Sequence, residues 1–430
     1  MSVTPPTSGE LDEAVRTSPV FTPFTLPNGA TIPNRLAKAA MEENMAAAGQ
    51  LPGEALFRLY RRWSHGGAGL IITGNVMVHA EALTGPGGVV LDKDSPLEPF
   101  QEWATAAKSG GARVWMQINH PGRQIRADMP GVAWAPSAIR VDIGRNSGRF
   151  AEPVEMNAEQ IEQTVRRFAE TARRAEAAGF DGVEIHAAHG YLLSQFLSPL
   201  SNRRSDRWGG SLENRARLLL DIVRAVRAAV APGFAVAVKL NSADFQRGGF
   251  DADDAAAVIA LLAPLGVDVV ELSGGSYEAP AMTGQAGDER TRSREAYFLG
   301  LAEDLAATSP VPLMLTGGVA RLPVAEEILS GGIDLVGMGS ALAMDPGLPN
   351  RWRHDASARV VLTPVRIADK AVASAAGMAR IRQQLRRLGA GRNPRPGIGP
   401  VGSLVRETLL QRGALRRYRR WLGGRTPVAP

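Results

Sequence analysis

Short runs rich in valine, isoleucine and leucine recur along the chain, and stretches with helical spacing of apolar positions separate most of them. That alternation is expected of βα units around a parallel sheet. Eight runs predict strands: RLAKAAM (35–41), GLIITGN (69–75), ARVWMQIN (112–119), GVEIHAA (182–188), FAVAVKLN (234–241), VDVVELSGG (267–275), VPLMLTGG (311–318) and IDLVGMGS (333–340). The clearest helix is predicted from about Asn157 to Ala178, with Asn157 as N-cap, Gln160 three residues on and Gly179 as the stop. A second is predicted from about Ser211 to Val230. An open doubly wound sheet would show the same local pattern, but eight units in about three hundred residues favour a closed α/β architecture, the (β/α)8 TIM barrel. The segment FTPFTLPNGATIPNR (21–35) sets Asn28-Gly29 between two short extended stretches and predicts a hairpin lid across the barrel floor.

Composition narrows this picture. The 430 residues are 44% hydrophobic and 21% charged, enough apolar side chain to bury a core, which excludes a disordered chain. No run approaches about eighteen consecutive apolar residues, so no spanning helix is expected. The absence of cysteine excludes disulfides, thiolate zinc, cysteine-held iron–sulfur clusters and a cysteine nucleophile. Residues 1–20 carry acidic side chains where a secretory signal has a basic start, and they are expected to form a mobile lead-in to a cytoplasmic protein. Residues 351–430 hold 18 Lys and Arg against three Asp and Glu, while the rest holds 31 against 40. The formal charge of +6 therefore describes a mildly acidic body with a basic tail. The expected organisation is a lead-in at 1–20, a barrel at 21–350 and a basic, mainly helical extension at 351–430.

In such a barrel the strand C-terminal ends form the active face. Asn75, Gln117, His186, His189, Lys239, Asn241, Ser273-Gly274-Gly275, Gly317-Gly318 and Gly339 all fall at predicted strand ends. Taken singly, each is also what a turn would use. His186 and His189 lie three apart, followed by Gly190 and Tyr191. Metal ligation is disfavoured, because a stable site needs a third protein ligand and Glu184 is expected to alternate away along the strand. Two imidazoles can instead donate to an oxygen that gains negative charge, and Tyr191 can deliver a proton. Lys239 ends an apolar strand and so needs an anionic partner or a lowered pKa. A Schiff-base nucleophile, a fixed charge beside an anionic cofactor ring and an ion pair with Glu271 all satisfy that need. Gly317-Gly318 and Gly339-Ser340 follow the last two strands, where barrels commonly cradle a phosphate with backbone N–H groups.

The run HAAHGYLLSQFLSPLSNRRSDRWGGSLENRARL (186–218) resembles the signature of the Old Yellow Enzyme family of FMN-dependent NAD(P)H oxidoreductases. IPNRLAKAAM, QINHPGRQ, VKLNSADFQRGGF, ELSGGSYE and LTGGV follow in the family's order, so the resemblance covers about 21–350. It implies the barrel; the family's multidomain members carry a cysteine-held iron–sulfur cluster, and the absence of cysteine here points to the single-barrel form without one. It also implies that the backbone of Ala39, Ala40 and Met41, with Gln117 and neighbouring Asn75, holds the flavin ring. Lys239 would lie at the ring's N1/O2 edge, which weakens the Schiff-base option, and Gly318 and Gly339 would contact the phosphate. His186 and His189 would bind the substrate's activating oxygen, with Tyr191 as proton donor. NADH or NADPH would reduce FMN, and an electron-poor, enone-like alkene would accept the hydride.

Two positions depart from the family pattern. Glu42 stands where Thr or Cys usually tunes the flavin; ionised beside the ring it would lower the potential, and turned away it would have no effect. Ser340 replaces a frequent phosphate-site Arg, for which Arg321 is a candidate substitute. Alternatives remain open: a flavin enzyme with another acceptor or an amine substrate, or a non-catalytic barrel recruited through its tail. IADKAVASAAGMARIRQQLRRL and LVRETLLQRGALRRYRRWLGG predict two basic amphipathic helices around a hinge GAGRNPRPGIGP. The expectation is that they pack on the barrel or on a partner subunit in a homo-oligomer, with anionic membrane or nucleic acid as the sharper alternative.

Overall fold

A computed structural model describes residues 18–279, 299–367 and 369–425. The predicted lead-in lies outside them up to residue 17. All eight predicted strands form: β1 (Leu36–Lys38), β2 (Leu70–Ile72), β3 (Arg113–Asn119), β4 (Gly182–Ala187), β5 (Ala235–Asn241), β6 (Val269–Ser273), β7 (Leu313–Thr316) and β8 (Leu335–Met338). Each pairs in parallel with its neighbours, β8 returns to β1 and β3 pairs with β4, so the sheet closes. Closure rules out the open doubly wound sheet.

Helices α1 (Glu54–Ser64), α2 (Glu98–Lys108), α3 (Ala158–Ala177), α4 (Leu212–Ala229), α5 (Ala252–Leu262), α6 (Leu299–Ala306) and α7 (Leu322–Ser330) follow the first seven strands. α3 carries both halves of the capping box between Asn157 and Gln160, and Ser211 caps α4. The strands alternate their side chains between the barrel interior and the layer beneath the helices. Ala37, Leu70, Ile72, Trp115, Ala235, Ala237, Val269, Met314 and Leu335 fill the barrel interior. Their neighbours in sequence join the layer beneath the helices. The hairpin of Phe24–Thr25 and Thr31–Ile32 inserts Leu26 and Ile32 into the interior cluster. It is tied to the strand N-terminal ends by Asn28 N–H to Asp268 (3.1 Å) and by Arg113 Nε to the Thr31 carbonyl (3.0 Å). The floor is thereby shut, leaving the mouth at the strand C-terminal ends.

Two further helices, α8 (Lys370–Gly389) and α9 (Pro400–Gly423), form the basic extension. α9 starts four residues earlier than predicted, because Pro400 ends the hinge as the first helical residue, where its missing N–H costs nothing. The pair packs on the barrel. Tyr418 is fully buried against Met77, Leu83, Val90, Ile125 and Met129, and its hydroxyl donates to the Ala80 carbonyl at 2.9 Å. Arg425 reaches Asp92 (2.8 Å) and Asp94 (3.1 Å), and Arg58 of α1 donates to the Gly389 carbonyl at 2.8 Å. Among the described residues no helix is long and apolar enough to cross a membrane.

Candidate active site

β4 delivers the histidines. His186 is the last residue but one of the strand, and His189 adopts a left-handed φ of 62°, held by its N–H to Asn241 Oδ1 (3.1 Å). This turn brings the His186 ring to 5.0 Å from that of His189 and 4.9 Å from that of Tyr191, both edge-on. His186 Nδ1 accepts from the Ala188 N–H at 3.2 Å, so in the neutral ring Nε2 carries the proton and is a donor. His189 Nε2 lies 2.8 Å from Ser273 Oγ at the end of β6. Burial, with Lys239 adding to it, drives His189 down to about 3. Burial, then His189 and Lys239, holds His186 well below the usual range. Both rings are therefore neutral at pH 7.

Tyr191 shares a 3.1 Å hydroxyl contact with Tyr277 and a side-chain hydrogen bond with Asn75. Burial, Tyr277 and Glu42 raise its pKa well above that of a free phenol, so it keeps its proton. Burial likewise pushes Tyr277 up to about 12. Tyr277, just beyond β6, is a site residue missed in the sequence. Its signal was the position rule that found the others.

Beneath the histidines lies a charged layer inside the barrel. Gln117 Nε2 donates to Glu184 Oε2 at 2.5 Å, and Lys239 forms a buried ion pair with Glu271. The expectation that Glu184 points away from the site is wrong: two residues from His186 along a strand, it shares the interior face. Burial and then Glu271 raise the Glu184 pKa well above that of an ordinary carboxyl, so it is protonated and supplies a hydrogen bond to Glu271. Burial opposes ionisation of Glu271, yet Lys239 and that hydrogen bond hold its pKa below normal. Lys239, penalised by burial, is kept charged chiefly by Glu271, its ion-pair partner. Of the three readings of Lys239, the ion pair is the one present, and it leaves room for a charge role at the cofactor.

The remaining predicted residues surround the same mouth. Ala39 N–H bonds the Met338 carbonyl at 3.0 Å, which ties the Ala39–Met41 segment to the end of β8. A Cβ added to Gly339 would meet Met41 at an ordinary 3.8 Å. Gly317 is buried, while Gly318, with φ of 70°, and Ser340 are exposed. Arg321 is exposed at the N-cap position of α7, and its backbone bridges Arg359. Glu42 is not an isolated charge: Thr84 donates to one of its oxygens at 2.5 Å, and Arg382 of α8 pairs with the other.

These residues fit FMN. The buried amide of Asn119, one strand pleat above Gln117, has neither its nitrogen nor its oxygen satisfied. Such a group costs roughly 1–3 kcal/mol unless a ligand completes it. Gln117, which donates to Glu184, supplies a buried amide, and Lys239 in its ion pair with Glu271 supplies a buried ammonium, groups suited to a ring that carries N–H groups and gains negative charge. Together with the neutral histidines and phenols, this defines a cofactor-dependent redox enzyme of the (β/α)8 class.

A family model described as the NADH:flavin oxidoreductase / NADH oxidase family matches residues 19–358. An NADH-dependent flavin oxidoreductase of Hypocrea jecorina is 38% identical over 349 residues, covering 76% of this chain and 87% of that protein. One from a Neonectria species is 39% identical over 354 residues, 76% of this chain and 46% of the relative's own length. Among solved structures, an old yellow enzyme homologue from Zymomonas mobilis matches with a TM-score of 0.67 and 25% identity, over 80% of this chain and 95% of that one. Morphinone reductase in complex with tetrahydroNAD gives 0.66 and 25%, over 80% and 93%. The chain belongs to the NADH:flavin oxidoreductase / NADH oxidase family, in its Old Yellow Enzyme form: an FMN oxidoreductase dependent on NADH or NADPH.

Proposed function

We propose that this enzyme reduces the carbon–carbon double bond of an enone-like substrate. The observation that carries the reading is the neutral, edge-packed trio of His186, His189 and Tyr191, with the buried Lys239 paired beside His186 on the next strand. The residues that would hold FMN are Gln117, Asn75, Lys239, Glu42 and the Ala39, Ala40 and Met41 backbone at the ring, and Gly317, Gly318, Gly339 and Ser340 at the phosphate. Bound there, FMN would supply the hydride chemistry between NADH or NADPH and the substrate's β-carbon.

The histidines bind the substrate carbonyl. As neutral donors they favour an oxygen that becomes negative over one that is already charged in the ground state, so their hydrogen bonds strengthen as the reaction proceeds. Lys239, held cationic by Glu271, would stabilise negative charge gained at the cofactor. Tyr191, its proton secured by burial, delivers it to the α-carbon, and Tyr277 orients the phenol.

Separate measurement of the two half-reactions tests this. Tyr191→Phe should leave reduction by the nicotinamide within about twofold of wild type and slow reoxidation by an enone by about 10²–10⁴-fold. Equal slowing of both halves, or of neither, contradicts the assignment.

A further inference from the structure

The basic extension does more than cover the barrel, for one of its arginines ends in the active site. Arg382 of α8 pairs with Glu42 and donates from Nε to the Glu42 carbonyl at 3.2 Å. Its other face lies 3.7 Å from Glu407 of α9, which also holds Arg386. Two cations and two anions thus alternate from the mouth into the extension: Glu42, Arg382, Glu407, Arg386. Both Arg382 and Glu407 are largely buried, with side chains 16% and 6% exposed. Glu42 is close to the chemistry in turn. It lines one small cavity with Thr84 and with Asn75, the partner of Tyr191. Its charge raises the pKa of both Tyr191 and Tyr277, and Arg382 opposes it at Tyr277.

A carboxylate directly after the Ala39–Met41 segment would oppose any negative charge gained by the cofactor, as the sequence suggested. The structure supplies the counter-ion, from a residue 340 positions away. We propose that Arg382 is a positioning residue of the active site, delivered by the C-terminal helices so that the Glu42 carboxylate is held in place and neutralised toward both the flavin and Tyr191. The inference rests on the FMN reading above. It assigns the extension a part in the site: the charge beside the flavin is set by whether α8 is docked.

The test is a cycle of Arg382→Gln, Glu42→Gln and the double variant, read by the flavin midpoint potential of each holoenzyme. For a charge acting over a separation on the order of 10 Å at an effective dielectric near 20, the ratio of reduced to oxidised flavin affinity changes by about tenfold or more. For a two-electron couple, tenfold is about 30 mV. Arg382→Gln should lower the potential by that order, Glu42→Gln should raise it, and the double variant should return near wild type. Arg382→Lys, which keeps the charge, should stay near wild type. Potentials that agree across the set, or an Arg382→Gln shift that survives in the double variant, overturn the proposal. If Arg382→Gln does not fold, the Glu42→Gln and Arg382→Lys potentials decide between the same outcomes. A second readout needs no flavin: in urea unfolding of the apo-protein the two losses should be less than additive. Full additivity there also overturns the proposal, whereas a wild type that binds no FMN overturns the function reading and leaves this coupling to be judged by the unfolding cycle.

Discussion

At Glu184 and Glu271 the same residue type carries opposite charge states a hydrogen bond apart. Glu184 keeps its proton because Glu271 beside it, paired with Lys239, takes the single negative charge that the barrel interior supports. Glu184→Gln replaces one neutral hydrogen-bonding group with another and should change stability by less than about 1 kcal/mol. Glu271→Gln strands a buried ammonium and should cost about 3–5 kcal/mol. Urea unfolding at pH 7.5 measures both, and equal losses would refute the charge assignment. The candidate residues at strand ends were legible because glycine, asparagine and histidine are out of place in apolar runs. Glu184 was misread through a slip in strand parity. Arg382 carries no local signal at all, since its partner Glu42 is brought to it only by tertiary packing.

At the scale of elements, the strand runs were legible because parallel strands buried on both faces read as unbroken apolar stretches. Their ends were less so: β1 and β2 keep three ladder residues each out of seven-residue runs, because the rest of each run turns toward the mouth. α3 was fully specified locally by its cap and stop. Asn157→Ala removes the side-chain acceptor of the Gln160 N–H, while the backbone N–H of residue 157 that donates to Gln160 Oε1 remains. The loss should be about 1 kcal/mol, seen as a lower denaturation midpoint with an unchanged slope. No change would mean that α3 is held by packing alone.

For the whole molecule, burial decides the response to acid. His79 and His186 are held well below the usual range and His120 and His189 at about 3, in each case chiefly by burial. The unfolded chain binds protons at these positions from about pH 6.5 downward while the folded protein does not, so stability is full above that value and falls as the pH drops toward 3. Glu184, protonated in the fold, acts in the opposite sense between its unfolded and folded pKa values. Between pH 7.5 and 5.5 each of the four buried histidines removes roughly 1 kcal/mol, which Glu184 and the other carboxyls raised by burial, Glu43 and Asp244 among them, offset in part. The urea midpoint of the apo-protein should therefore fall on acidification, and a midpoint that holds or rises contradicts the buried neutral histidines. The docking of the basic extension was legible only in part. Its amphipathic faces were evident, but the acidic partners Glu42, Asp92 and Asp94 are scattered through the chain until the barrel assembles them.

The most direct test of the account as a whole is an anaerobic spectral titration of the purified protein. A yellow protein that releases FMN on denaturation, bleaches with NADH or NADPH and regains its colour on addition of an enone is the predicted result. Bleaching without recovery would contradict the assigned substrate class, and a protein that neither contains FMN nor takes it up would contradict the cofactor site itself.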